Sequence, residues 1–560
     1  MKRILIVLIA STLFLQCTYN KKPVGLIVDK AMVVSAREEA STIGIDILKK
    51  GGNAFDAMVA TEFALAVSYQ FAGNLGGGGF MVYRTNKGES GALDFREKAP
   101  MSASRDMYLD SLGNAISDKS KKGALAIGIP GTVAGLFATH KKLGTMPIAD
   151  LIQPSIDLAK KGIIVTEKQA KRLAKYQAEF REVNGKDIVL SLEYKVGDTI
   201  KFLQLAKTLE RLSNVGVDDF YKGETANILV RELNKRGGNM TLEDLNRYEA
   251  KWRKPITFKY KDLEIISMTL PSSGGICLAQ ILKSIEPYQA KELKHNSTKY
   301  IQLLTEAERR SYADRAHYLG DIDFVNTPID SLTDDAYITQ RMGSFDWNKA
   351  TKSSDISHGK LNGYESNETT HYSIVDSFGN AVSVTTTLNG GFGSKVFIDE
   401  LGFFLNNEMD DFSVKLGTPN MFGLVGAEAN SIRPEKRMLS SMTPTIVTEN
   451  GKLKMVVGSP GGSTIITSVL QTILNITEFD MGMQEAVAEP RFHHQWLPDV
   501  VKMEPNGFDK ETIQALKDLG YTIDISNSIV IGKVNAILVL ENGQLEGGAD
   551  PRGDETAVGY

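Results

Sequence analysis

Cysteine is almost absent from this 560-residue chain: Cys17 and Cys277 are the only two. Cys17 lies in an amino-terminal segment unlike the rest, so no intramolecular disulfide is expected in the mature protein, and a chain of this length can rely on its core instead. Histidine occurs only seven times. There is no H-E-x-x-H and no C-x-x-C, and the adjacent pair His493-His494 would point to opposite faces of a strand, so no metal is expected. Basic tracts are missing as well. Lys and Arg total 64 against 68 Asp and Glu, a net charge of -4, and with no basic domain nothing calls for nucleic acid. The four glycines Gly76 to Gly79 lack the G-K-[ST] of a phosphate loop and precede a strand, which points to close backbone packing.

What is present begins with Lys2-Arg3 and an apolar run from Ile4 to Leu15, too short to span a bilayer comfortably. Followed by Gln16-Cys17 and a polar stretch, it reads as a secretory signal peptide, residues 1–17, and the protein as exported. Cys17 resembles the lipid-acceptor cysteine of bacterial lipoprotein signals, although Gln16 departs from the small residue usual before it. A simple cleaved signal is the alternative.

The remaining chain is ordinary globular material, 42% hydrophobic and 24% charged, and its length suggests about three or four domains. Helical spacing is expected around Ala40, Ile43 and Ile47, from Ala54 to Ser68, from Gly131 to Leu143, through most of Ile148 to Gly238, and in an amphipathic helix from Thr298 to His317. Thr241 to Asp244 reads as a capping box. Later the texture turns to strand. Tyr372 to Val375 and Ala381 to Leu388 flank Gly379-Asn380, and Thr445 to Val447 and Lys454 to Val457 flank Asn450-Gly451, a strong hairpin signal. Antiparallel pairs with helices on both sides make a layered α/β domain.

One peptide bond stands out. A polar run from Ser344 ends at Glu368, and a strand-like run begins just after Thr369-Thr370-His371. If the Thr369 hydroxyl attacks the Glu368 carbonyl, the amide becomes an ester, water cleaves it, and Thr369 becomes a new amino terminus. The freed α-amine, with an ordinary pKa of ~7.7 to 8.0, can serve as base for its own hydroxyl. Local sequence alone favours a threonine pair entering a strand.

Asp94-Phe95-Arg96-Glu97, Thr369-Thr370-His371-Tyr372-Ser373, Leu439-Ser440-Ser441-Met442-Thr443-Pro444 and Gly458-Ser459-Pro460-Gly461-Gly462-Ser463 together resemble the gamma-glutamyltranspeptidase family. Arg491 to Pro498 and Asp550-Pro551-Arg552 are similar too, in order, across the mature chain. The resemblance implies an N-terminal-nucleophile hydrolase with a four-layer αββα sandwich, cut between Glu368 and Thr369 into a large subunit, 18–368, and a small one, 369–560. These would form one intertwined domain in place of several.

The same resemblance implies roles. Thr369 is the nucleophile, Thr387 orients it, and Gly461 and Gly462 offer the oxyanion hole. Arg96, Ser440 and Ser441 hold the α-carboxylate of a γ-glutamyl donor, while Asn389, Glu408 and Asp411 hold its α-ammonium. Phe422 stands in a lid loop, about Leu416 to Glu428, where a tyrosine is common. The implied reaction moves the γ-glutamyl group of glutathione or a related amide to water or to an amino acid or peptide amine. No metal or organic cofactor is implied, since every reacting group is protein. A cephalosporin-acylase-like amidase of the same fold and an uncleaved, non-enzymatic binding protein are the rivals.

Overall fold

Strands from both sides of the Glu368-Thr369 bond share each of two sheets of the computed structural model, which describes residues 23–116, 118–357, 369–526 and 530–560. The expected signal peptide with Cys17, and Glu368 at the end of the polar run, lie outside the described residues.

The first sheet runs Thr556–Gly559, Met32–Ser35, Thr370–Val375, Ala381–Thr387, Gly78–Arg84, Ser90–Phe95, Lys251–Arg253. Its ladder is antiparallel throughout, with Ser373 opposite Val34 on one side and Thr370 opposite Thr386 on the other. The second runs Ile27–Val28, Leu545–Ala549, Asn535–Val539, Lys452–Gly458, Thr445–Glu449, Leu263–Ser267, Ile256–Tyr260. Met32, Val34, Phe80 and Val82 of the first meet Ile446, Val456 and Ile537 of the second in a shared apolar layer.

Helices cover the outer faces. Ala54–Ser68 is apolar all round and buried along its whole length, as such a helix must be, and packs on the first sheet. Gly274–Ile285, Thr464–Thr477 and Met483–Ala488 pack on the second. The result is the αββα sandwich expected from the sequence. Both Asn-Gly and Gly-Asn signals mark true hairpins; Asn450 and Gly451 hold φ of 52° and 74°, as the twist of the flanking strands requires. The Thr241 capping box forms with both reciprocal bonds, at 3.1 and 2.8 Å.

The helix Thr298–Tyr318 departs from its expected amphipathic character: every residue from Tyr300 to Ala316 is buried. Its charged residues are satisfied within the protein instead of by water. Arg310 pairs with Glu306 at 2.6 Å, and Asp314 accepts from Gln280 at 3.0 Å and pairs with Arg341 at 3.0 Å.

Gly76 to Gly79 are close-packed against backbone. A Cβ at Gly77 would stand 2.0 Å from the Thr387 carbonyl oxygen, and at Gly79 2.5 Å from that of Thr385. Gly79→Ala is therefore expected to cost about 1–3 kcal/mol, read as a lower urea midpoint with unchanged slope; an unchanged midpoint would mean the strands move apart freely.

Candidate active site

The ladder that sets Thr370 opposite Thr386 brings Thr369, one residue earlier, beside Thr387. Both line one cleft, together with Arg96, Asn389 and Gly462. The Thr387 Oγ1 accepts the Asn389 N–H at 2.7 Å, which leaves its own proton available to a neighbouring oxygen. Asn389, with φ of 70°, is held by its Nδ2 donating to the Asn407 carbonyl at 2.9 Å and also lines the cleft.

Opposite Thr369 the strand Lys452–Gly458 ends in Ser459-Pro460-Gly461-Gly462 before the helix Thr464–Thr477. Gly461 and Gly462 hold φ of 136° and 54°, conformations that favour glycine. Their carbonyls accept the N–H groups of Thr464 and Ile465, at 3.0 and 3.3 Å, while among the described residues neither glycine N–H has a partner. Two free amides at a helix N-terminus suit a developing negative charge. Gly462 lines the cleft, and a Cβ there would meet the Phe422 ring at 2.5 Å. Phe422, expected in the lid, is thus seated on Gly462.

Arg96 leaves the strand Ser90–Phe95 and is buried, not on the surface. Its guanidinium donates to Glu408 and, at 2.5 Å, to Asp411, and two longer bonds reach the carbonyls of Met438 and Leu439. Burial alone would lower its pKa; the two carboxylates more than offset that and hold it above the ordinary guanidinium value. Asp410 and Asp411, which taken alone suggest a solvated pair, divide the work. Asp410 accepts from the Met421 N–H at 2.7 Å and from Ser120, pinning the loop that carries Phe422, whereas Asp411 faces the cleft and accepts from Asn420 at 2.9 Å.

Two residues without an expected role complete the site. Glu97 lies 3.9 Å from Arg96 and against Glu408, and among the described residues neither of its oxygens, nor Glu408 Oε2, finds an N–H or O–H donor. Burial pushes Glu97 up to about 8 and Glu408 well above the usual carboxylate range, so a single proton shared between them satisfies both. Arg315, from the buried helix Thr298–Tyr318, lines the cleft beside Ser440 and Ser441. Two guanidinium groups then face three carboxyls carrying one proton, a neutral balance that fits a zwitterion. The quoted Arg96-Glu97 motif held the signal for Glu97; nothing local marked Arg315.

The gamma-glutamyltranspeptidase family model matches residues 40–560. The glutathione hydrolase proenzyme of Escherichia coli is 47% identical over 536 residues, 95% of this chain and 92% of that one. That of Pseudomonas aeruginosa is 44% identical and covers 94% of each chain. Among solved structures, cephalosporin acylase from Bacillus halodurans superposes with a TM-score of 0.85 over 99% of both chains at 24% identity, a likeness of fold. Helicobacter pylori gamma-glutamyltranspeptidase is 41% identical with a TM-score of 0.57, over 62% of this chain and 98% of that one.

The shared proton has a measurable consequence. With its pKa raised from 4.5 to about 8, Glu97 contributes stability that is full below 4.5 and lost as the pH rises through 8. Between pH 5 and 8 the wild-type urea midpoint should therefore fall further than that of Glu97→Gln; parallel declines would exclude a proton held there.

Proposed function

We infer that this chain, which belongs to the gamma-glutamyltranspeptidase family, is a self-cleaving enzyme that removes the γ-glutamyl group from glutathione and related γ-glutamyl amides. The observation that carries the reading at the level of residues is the meeting of Thr369, Gly462 and two opposed charge sets in one cleft, with Gly461 next in the chain and its amide also without a partner among the described residues.

In the precursor, Thr369 Oγ attacks the Glu368 carbonyl carbon, the C–N bond breaks, and the resulting ester is hydrolysed. Residues up to Glu368 form the large subunit and Thr369 onward the small one. In turnover, the freed Thr369 α-amine takes the hydroxyl proton as Oγ attacks the donor's γ-carbonyl. The oxyanion forms against the Gly461 and Gly462 N–H groups, where one donor is typically worth ~2.7 to 4 kcal/mol of transition-state stabilisation. The amine leaves with the proton, and water or an amino acid or peptide amine then attacks the γ-glutamyl ester, restoring Thr369. Thr387 steadies the nucleophile through its available hydroxyl.

The donor's α-ammonium lies between Asn389, Glu408 and Asp411, and its α-carboxylate against Arg96, Ser440 and Ser441. A glutaryl-type amide, the substrate class of the acylase rival, has no ammonium to occupy the acidic end. The sequence identity to the glutathione hydrolases, nearly twice that to the acylase, supports the same choice. The signal-like residues 1–17 support an exported enzyme, with a lipid on Cys17 or simple cleavage as its two routes. Among the described residues no helix is long and apolar enough to cross a membrane.

Intact mass and amino-terminal sequencing should find two chains in wild type, the smaller beginning at Thr369, and a single inactive chain in Thr369→Ala. A stable single chain in both would overturn the mechanism. Asp411→Asn should lower kcat/KM for a γ-glutamyl donor at least about tenfold, ~1.4 kcal/mol, the scale of a charge-assisted hydrogen bond; unchanged kinetics would count against the acidic end of the pocket.

A further inference from the structure

The two serines of the carboxylate end are set up alike. Ser440 Oγ accepts the Met442 N–H at 3.1 Å, and Ser441 Oγ accepts from Arg315 Nη2 at 3.1 Å. Each hydroxyl oxygen is thereby occupied as an acceptor, and each proton is left to donate toward the cleft. For Ser440 a backbone amide does this. For Ser441 it is a buried charge.

Arg315 is 4% exposed and unlike the other buried arginines of the helix that carries it. Arg309 and Arg310 each pair with a carboxylate, whereas among the described residues no carboxylate lies within ion-pairing distance of Arg315. It spends two N–H groups on neutral hydroxyls, those of Ser441 and, at 2.9 Å, Ser273. Ser273 in turn donates from both N–H and Oγ to the Ser440 carbonyl, at 2.8 and 2.7 Å, so one turn ties the arginine to both serines. A buried cation that finds only hydroxyls is costly unless something else supplies negative charge. Arg96, the other cation of the cleft, is already claimed by Glu408 and Asp411.

We propose that Arg315 makes the cleft select donors with a free α-carboxylate, by holding Ser441 with its proton toward the cleft and by supplying the one positive charge there that no protein carboxylate has taken. It is a positioning residue, acting through Ser441 and through its field. The proposal rests on reading the cleft as a γ-glutamyl-donor pocket. A donor whose carboxylate is replaced by a carboxamide cannot use that charge, so Arg315 matters to one donor and not to the other.

The test compares γ-glutamyl p-nitroanilide with its α-carboxamide counterpart in mature wild type, Arg315→Gln and Arg315→Lys. Wild type should favour the carboxylate donor by about 100-fold or more in kcat/KM. Arg315→Gln should lose about 30-fold on the carboxylate donor, mostly as raised KM with kcat within about threefold, and less than about threefold on the carboxamide. Arg315→Lys, which keeps the charge but not the fork, should lose an intermediate amount on the carboxylate donor alone. Equal losses on both donors, or selectivity kept in full, would overturn the inference for whichever variant matures, and Arg315→Lys serves if Arg315→Gln does not. A wild type that fails to discriminate would instead refute the donor pocket itself.

Discussion

The chemistry hangs on one hydrogen-bonded ladder. Thr370–Val375 is held by Ala381–Thr387 on one edge and Met32–Ser35 on the other, and both faces of the strand are buried. Tyr372 and Ile374 face the helices, while Val375 joins the layer between the sheets. Successive side chains alternate, so a slip of one residue would send Thr369 to the helical side, away from the Gly461-Gly462 turn. The inter-sheet face is polar close to the nucleophile. His371 lies between the Thr385 and Ser373 hydroxyls at 2.9 and 3.1 Å, and burial lowers its pKa to about 3, so it stays neutral and adds no charge beneath Thr369. The same mixing of strands would keep the protein whole after the proposed cut before Thr369. Both sheets contain strands from before and after that bond, and separating the pieces would break both ladders and expose the apolar layer between them.

Burial of charge is the main cost of this arrangement. Arg96, Glu97, Glu408 and Asp411 together would be prohibitive if unpaired, and their mutual contacts offset desolvation before any substrate arrives. Such a self-paired cluster is also pre-organised. In the proposed reading a donor zwitterion need not create a charged environment; it would exchange partners within one, its ammonium entering among the acids as Arg96 turns toward the carboxylate.

Legibility in the sequence followed the range of the interactions. Hairpins depend on two or three adjacent residues, and Asn450-Gly451 and Gly379-Asn380 were readable as they stand. Thr369, Gly461 and Gly462 stood in the ordered motifs and Thr387 was named from the family resemblance; the cleft is lined by Thr369, Thr387 and Gly462. What local pattern could not convey was burial of charge. Arg96 meets Glu408 and Asp411 from 312 and 315 positions away, and Arg315 meets Ser441 from 126. The helix Thr298–Tyr318 looks amphipathic for that reason: its charged side chains face partners supplied by distant segments instead of water.

The cover over the cleft is coupled to the same acids. Asn420 donates to Asp411 Oδ1, the Met421 N–H donates to Asp410, and the Phe422 ring seals against Gly462, so three successive residues connect the loop to the ammonium end and to the oxyanion end. With no phenol at position 422, the ring's own hold on the cleft is apolar packing, and directional bonding falls to Asn420, the Met421 N–H and the Phe422 carbonyl, which accepts from Gln495 at 3.3 Å. An ammonium at Asp411 competes with Arg96 for Oδ2 and leaves Oδ1 to Asn420, because a carboxylate can accept on both oxygens at once. Under the proposed mechanism donor binding therefore need not release the loop, and the cover would stay closed over the γ-carbonyl, keeping water from the glycine amides until the amine departs.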